Sequence, residues 1–254
     1  PAGRPTIMSA FSDAGFEVHS CVHNPRFCLT ATEARGTVWD SEEPEEVLRA
    51  LSAPSGSDRF VLIHHWWTHL PYISEKLPRK AWKKLCDEAL AELGAAPVEA
   101  ARRMRMRYDN VLGEFDSQLL TRYLDAATSG GDDVLFVFTA DHGETWGDSL
   151  PAGRSVEHIY DLHGRWMTDE TTRVPLLFWG KGVEGAVPAG LAHDGLVRGV
   201  DVAPTLAALA GIPWPGEGPV LAAPSPLQRD RLLPSALLDG DSLAASLMAR
   251  RTPE

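Results

Sequence analysis

Cysteine, basic residues and long apolar runs are all scarce in this chain of 254 residues. Its three cysteines, Cys21, Cys28 and Cys86, lack the spacing of a zinc site and do not suffice for a disulfide framework, although Cys21 and Cys28 could pair in an oxidising compartment. The 24 basic residues are outnumbered by 35 acidic ones, which argues against nucleic acid as the main partner. No apolar run reaches the roughly 18 residues that a membrane-spanning helix needs, so we expect no membrane span.

One short apolar segment is followed by an abrupt change of polarity. Val134 to Thr139 is rich in β-branched and aromatic residues, and this composition predicts a buried strand. It runs into Asp141-His142-Gly143-Glu144, where Gly143 would let the backbone turn sharply. In open α/β sheets ligands sit outside the carboxyl ends of strands, and a carboxylate beside an imidazole suits a divalent cation. The alternative is a polar turn after a core strand.

Helical and strand-like patterns alternate along the chain. Together they predict an α/β fold, specifically a three-layer α/β/α sandwich with a largely parallel sheet. We expect residues 1–220 to form this domain, and the Pro/Ala/Leu-rich residues 221–254 to be a C-terminal segment or the start of a further subdomain. Helices are predicted near 5–14, 42–51, 82–94, 97–129 and 202–210, the last capped by Asp201, and strands near 16–22, 59–65, 134–139 and 174–179.

Five motifs occur in a distinctive order. They are Trp67-Thr-His-Leu-Pro-Tyr72, Tyr108-Asp109 with Asp116, Thr139-Ala-Asp-His-Gly-Glu144, Arg173-Val-Pro-Leu-Leu177 and Val200-Asp-Val-Ala-Pro-Thr-Leu206. Each is weak alone, but in this order they resemble the sulfatases of the alkaline phosphatase superfamily, over roughly residues 5–212. The resemblance implies an alkaline-phosphatase-like fold and hydrolysis of sulfate esters on a small-molecule or glycan substrate.

The resemblance also assigns roles to individual residues. Asp141 and His142 match the family's late pair of metal ligands, which implies a divalent cation, Ca²⁺ first, with Mn²⁺ and Mg²⁺ as alternatives. His69 matches a histidine that contacts the ester. His163 lies where relatives place a substrate-contacting Lys or His, and Arg165 beside it is a further substrate-binding candidate.

The expected nucleophile is missing from these residues. Sulfatases carry an early Asp-Asp pair and a Cys or Ser in the motif Cys/Ser-x-Pro-x-Arg, and the chain contains neither. Cys28 lacks both the Pro and the Arg, and the Pro and Arg that follow Cys21 stand at the wrong spacing. Together with a first residue that is not Met, this leads us to expect a fragment that begins after the nucleophile and is inactive alone.

Several alternatives stay open at this level. The same fold supports phosphodiesterases, phosphonate monoester hydrolases and phosphoethanolamine-type transferases, and the chain could also be a non-catalytic sulfatase-like protein. His69 could simply be a turn residue before Pro71, and His163 could be structural. Glu144 is interpreted as structural. The compartment is not decided by the sequence.

Overall fold

The computed structural model describes residues 6–22, 38–39, 44–74, 77–146, 162–163, 167–181, 190, 197–214 and 216. Arg165, Cys28 and the predicted segment 221–254 lie outside these residues. Within the described part of the chain, no helix is both long and apolar enough to span a bilayer.

The elements alternate between helix and strand as the sequence predicts. The helices are α1 (Ile7–Asp13), α2 (Pro44–Ser52), α3 (Arg79–Ala95), α4 (Pro97–Phe115), α5 (Thr121–Ser129), α6 (Asp169–Thr172) and α7 (Val202–Leu209). The strands are β1 (Glu17–Val22), β2 (Val38–Trp39), β3 (Arg59–His64), β4 (Val134–Thr139) and β5 (Leu176–Lys181). A π-helical segment (Asp116–Leu120) joins α4 to α5, and a 3₁₀ turn (Gly199–Asp201) precedes α7.

The chain divides into two compact units. Among the described residues, the first unit comprises 6–66, 118–136 and 179–216, and the second comprises 67–117 and 137–178. In the first unit β1 pairs in parallel with β2 on one side and β3 on the other, and Glu17 is opposite Arg59 in the register with β3. Parallel pairing requires crossover connections, and α2 lies between β2 and β3 in sequence. The second sheet pairs β4 with β5.

The core of the first unit forms where α1 meets β1. Thr6 caps α1 by accepting a hydrogen bond from the Ser9 backbone N–H, and the Ser9 hydroxyl accepts from the Thr6 N–H in return. The capped helix turns Met8 and Phe11 inward against Val18, and all three are buried. Partly buried apolar residues complete this cluster: Ile7, Phe16, Phe60, Leu62, Leu206 and Ile212.

The core of the second unit is built mainly by α3 and α4. Leu93 and Met104 are each 1% exposed and lie in one cluster with Leu70, Tyr72 and Leu162. The cluster therefore includes residues from the Trp67–Tyr72 motif and from the segment that carries His163. Its further buried members are Ala89, Ala100, Ala101 and Val111, and Trp67, Tyr108 and Trp146 pack against it.

Most of the predicted fold is confirmed, although the sequence does not predict β2 or α6 and two further details differ. The α/β class and parallel pairing are observed, and β4 begins and ends where predicted. The helix predicted over 97–129 is interrupted at Asp116–Leu120, where the backbone becomes π-helical. Asp201 does not cap α7 with its side chain; its buried carboxylate instead accepts hydrogen bonds from the backbone and guanidinium of Arg198.

Candidate active site

The predicted metal pair lies just beyond the carboxyl end of β4, in the second unit. The Asp141 carboxylate accepts a hydrogen bond from the His142 backbone N–H (3.0 Å), and its side chain is 68% exposed. His142 Nδ1 lies 3.0 Å from the Gly143 carbonyl oxygen, which can only accept. Nδ1 is therefore the protonated nitrogen, so that in the neutral ring Nε2 carries the lone pair. This Nε2 lies 3.7 Å from Asp141 Oδ2.

That arrangement suits a bound cation. Two donor atoms 3.7 Å apart can both contact one ion, because metal–ligand distances are about 2.0–2.6 Å. A hydrogen bond from Nδ1 to a backbone carbonyl is also the usual support of a metal-binding histidine. The geometry of Asp141 and His142 therefore fits the role that the sequence predicts, although a calcium ion would need more oxygen ligands than these two residues supply.

Glu144 points inward and meets His163. Its side chain is only 5% exposed, and both of its carboxylate oxygens lie 3.1 Å from His163 Nδ1. The two residues are 19 positions apart and are brought together by a backbone hydrogen bond from Thr145 N–H to the Leu162 carbonyl (2.6 Å). The sequence interpretation of Glu144 as a purely structural residue missed this contact.

Three imidazoles converge in this region. The His142 and His163 rings stack with centroids 4.1 Å apart, and the His69 centroid lies 5.6 Å from that of His163. His69 Nδ1 donates to the Leu70 carbonyl at 2.7 Å. Burial lowers the pKa of His69 below its ordinary value of 6.5, so this ring is neutral at neutral pH. The structure thus brings together His69, His142 and His163, which the sequence singled out separately.

A candidate transition-metal donor set also exists here. Ligand atoms of His142, Glu144 and His163 all lie within 4.8 Å of one another. Two imidazoles and one carboxylate are donors typical of first-row transition metals rather than of calcium. The donor chemistry therefore fits a divalent cation in general and does not by itself select Ca²⁺.

An aromatic cluster surrounds the inner side of Glu144. Tyr72 is buried and contacts Tyr108 and Trp146, with ring centroids 5.6 and 5.8 Å away. Burial raises the pKa of both tyrosines, and the Glu144 carboxylate raises both further, so their hydroxyls stay protonated. Tyr72 has φ of 61°, a left-handed conformation that is uncommon for a residue with a side chain and is concentrated at functional sites.

The loop is held against α6 from the other side. Gly143 N–H donates to the Thr171 carbonyl (2.9 Å), and the Thr145 hydroxyl donates to the Glu170 carboxylate (2.6 Å). A side chain at Gly143 would collide with the Glu170 carbonyl oxygen. Gly143 does not adopt the left-handed conformation, so the glycine is needed for this close approach rather than for the sharp turn predicted from sequence.

Comparison with known proteins decides the family. The sulfatase family model matches residues 3–212. This chain belongs to the sulfatase family. The match covers all the predicted site residues, Asp141, His142, His69, His163 and Arg165, and thereby confirms the resemblance drawn from the five motifs.

Individual relatives of this sulfatase-family chain are distant. It is 26% identical over 203 residues to the multifunctional alkaline phosphatase superfamily protein PehA of Trinickia caryophylli, covering 79% of this chain and 35% of that protein. It is 24% identical over 246 residues to iduronate 2-sulfatase of Mus musculus, covering 73% and 42%. The low-salt glycan biosynthesis sulfotransferase Agl7 of Haloferax volcanii is 38% identical over 85 residues, 32% of this chain and 18% of that protein.

The fold has a solved counterpart. The structure of BT1596, a 2-O GAG sulfatase, superposes with a TM-score of 0.59 at 20% identity and covers 90% of this chain and 58% of that one. The likeness supports the α/β sulfatase-like fold. The sulfatase-family chain spans less than half the length of the curated relatives it matches.

Proposed function

We propose that this sulfatase-family protein hydrolyses sulfate esters with the help of a divalent cation. The observation that carries the proposal is the convergence of His69, His142 and His163 beside Asp141, just beyond the carboxyl end of β4. Sulfate ester hydrolysis requires neutralisation of the nonbridging oxygens, a nucleophile and a group that assists the leaving oxygen. The convergent residues are suited to the first and third of these tasks.

Asp141 and His142 are the residues proposed to hold the cation. Asp141 would contribute a carboxylate oxygen, and His142 would contribute Nε2, since its Nδ1 is held by the Gly143 carbonyl. A cation bound there would supply positive charge to the ester oxygens. Ca²⁺ remains the first candidate from the family resemblance, with Mn²⁺ and Mg²⁺ as alternatives, whereas an imidazole donor is more typical of the later first-row metals.

His69 and His163 are proposed to contact the ester. Because His69 Nδ1 donates to the Leu70 carbonyl and the ring is neutral, His69 Nε2 acts as a hydrogen-bond acceptor at neutral pH. Because the oxygens of a sulfate ester are also acceptors, we assign His69 to orienting the attacking group through its hydroxyl hydrogen, and His163 to assisting the leaving oxygen. Arg165 is proposed as an additional substrate-binding cation. No residue of this chain is assigned as the nucleophile.

Phosphoester chemistry is the second candidate. It is favoured by the match to PehA, whose name describes a multifunctional alkaline phosphatase superfamily protein. The same positions would then serve a phosphodiester, a phosphonate monoester or a phosphoethanolamine group. The distinction depends on the nucleophile and on the charge of the oxyanion, so it is tested by comparing substrates on one protein.

The test uses the complete product of the reading frame that contains these residues. We expect it to hydrolyse an aryl sulfate faster than an aryl phosphate, and to lose activity with a chelator and regain it with Ca²⁺ or Mn²⁺. Asp141→Asn should lower sulfate hydrolysis by about 100-fold or more, because it weakens a metal ligand. The matched control is Asp133→Asn, an exposed carboxylate at the other end of β4. Faster phosphate hydrolysis would favour the second candidate, and no effect of Asp141→Asn would exclude the proposed site.

A further inference from the structure

Glu144 has a buried carboxylate next to the imidazole of His163. Its side chain is 5% exposed, whereas the neighbouring Asp141 side chain is 68% exposed. Burying a carboxylate is costly unless hydrogen bonds compensate. Both of its oxygens lie 3.1 Å from His163 Nδ1, and the Tyr72 side chain is a second group that interacts with this carboxylate.

A backbone hydrogen bond next to Glu144 and His163 holds this pair together. The hydrogen bond from Thr145 N–H to the Leu162 carbonyl links the residues that immediately adjoin Glu144 and His163. Leu162 is 3% exposed and belongs to the core of the second unit. The imidazole is therefore attached to the buried core of the unit through its neighbour Leu162, and to Glu144 through its own ring.

We propose that Glu144 is a positioning residue for His163. An ionised carboxylate can only accept, so His163 Nδ1 must be the donor, which makes Nε2 the lone-pair nitrogen of the neutral ring. A ring flipped about its Cβ–Cγ bond would place a carbon against the carboxylate and lose the bond. Glu144 thus holds Nδ1 and leaves Nε2 to meet the leaving oxygen, which Nε2 assists when it carries the second proton of the ring. This role of Glu144 rests on the proposed function.

The position of His163 explains why its orientation matters. The ring stacks on His142 at 4.1 Å and lies 5.6 Å from His69, so it neighbours both the proposed cation ligand and the other histidine of the proposed site. Rotation of the ring would change which atom faces each neighbour. The buried Glu144 carboxylate accepts only from Nδ1, and it therefore favours one of the two ring orientations of His163.

The first readout needs no catalysis. Nitrogen NMR of isotope-labelled histidine side chains, at about pH 8.5, roughly two units above the unperturbed histidine pKa, reports the tautomer of each ring. The His163→Asn variant identifies the His163 signals. We expect the Nδ1–H tautomer in the wild type and in Glu144→Gln, whose amide oxygen still accepts, and a mixture in Glu144→Met, which keeps the length but has no acceptor.

The second readout tests the link to activity in the complete gene product. Glu144→Met should lower kcat by about 10–100-fold with little change in KM, as expected for an outer hydrogen-bond partner, and Glu144→Gln should recover much of this loss. In the His163→Asn background, Glu144→Met should have no further effect on kcat. Glu170→Met is the matched control, because Glu170 is another carboxylate bonded to the same loop through Thr145. It should leave the His163 tautomer unchanged.

Three outcomes would overturn the proposal. One is the Nε2–H tautomer in the wild type. Another is a loss of kcat from Glu144→Met that is as large without His163 as with it, which would indicate a merely structural role. The third is loss of calorimetric Mn²⁺ binding in Glu144→Gln, which would make Glu144 a metal ligand. An Nδ1–H tautomer in a protein that hydrolyses neither ester would instead count against the proposed function, since the NMR result is independent of turnover.

Discussion

At the scale of single residues, His69 combines a fixed tautomer with an unfavourable environment for charge. Its Nδ1 donates to the Leu70 carbonyl, and its ring lies against Trp82 with centroids 6.0 Å apart. Burial is the main cause of its lowered pKa, and the nearby His163 lowers it further. Protonation of His69 therefore destabilises the folded state, so the free energy of unfolding of the second unit depends on pH.

We expect this link to appear as an acid-dependent loss of stability. Since the pKa of His69 is lower when folded than its ordinary value of 6.5, the unfolded chain binds the extra proton first as the pH falls. The contribution is complete above about pH 6.5 and is lost as the pH decreases through the lowered folded value. His69→Gln should therefore flatten the pH dependence of the urea midpoint between about pH 5 and 7, relative to the wild type. Parallel curves for the two proteins would contradict this interpretation.

Residue identity and order were sufficient to predict where the site lies but not how it is connected. The change from Val134–Thr139 to Asp141-His142 marks the carboxyl end of a strand, and that location is confirmed. The family resemblance implies only a structural role for Glu144, and nothing in the local sequence connects it to His163. Their contact depends on a hydrogen bond between segments 17 positions apart, Thr145 and Leu162, and such pairings leave no periodic signal in a single sequence.

At the scale of elements, the loop after β4 is shaped by its approach to α6. Gly143 N–H bonds to the Thr171 carbonyl, and the Glu170 carbonyl occupies the space that a side chain on Gly143 would need. The loop carries His142 on one side of this glycine and Glu144 on the other. The distance between this loop and α6 therefore determines the positions of both His142, the proposed cation ligand, and Glu144, the proposed positioning residue.

Adding one methyl group at this position should disturb both. We expect Gly143→Ala to lower the free energy of unfolding by about 1–3 kcal/mol, because backbone must move to relieve the collision, and to weaken cation binding. The control is Gly113→Ala in α4, where an added Cβ meets nothing within 4 Å and removing a helical glycine should stabilise by about 0.5–1 kcal/mol. Thermal unfolding of the two variants measures the contrast. Equal midpoints would show that the close approach is not maintained in solution.

The helical segment 97–129 shows a limit of prediction at this scale. Its apolar spacing predicts one helix, yet the backbone is π-helical from Asp116 to Leu120. A π-helical turn contains one residue more than an α-helical turn, so the buried face of the helix shifts at this point. In α5 the buried residues are Tyr123 and Ala126, and their spacing is still that of a helix. Periodicity detects that both halves are helical, but it does not register the change in hydrogen bonding between them.

At the scale of the whole molecule, each compact unit has its own apolar cluster. The first is centred on α1 and β1, and the second on α3 and α4. The α/β class and the parallel pairing followed from the alternation of helix and strand patterns, whereas the division into two units did not, because it depends on contacts between segments far apart in sequence. The predicted boundary at residue 220 stays a prediction.

The second cluster should dominate the stability of the unit that carries the site. Met104 is 1% exposed in that cluster, whereas Met106, two residues further along α4, is 61% exposed. Since two helical positions point about 200° apart, the same substitution has different consequences at each. We expect Met104→Ala to cost about 2–5 kcal/mol of unfolding free energy, and Met106→Ala to change it by less than about 0.5 kcal/mol. Urea unfolding curves measure both, and similar midpoints would show that α4 does not bury Met104.

A destabilised Met104→Ala should also show weaker NMR signals from the Nδ1–H tautomer of His163, because Leu162, next to His163, is anchored in the same cluster.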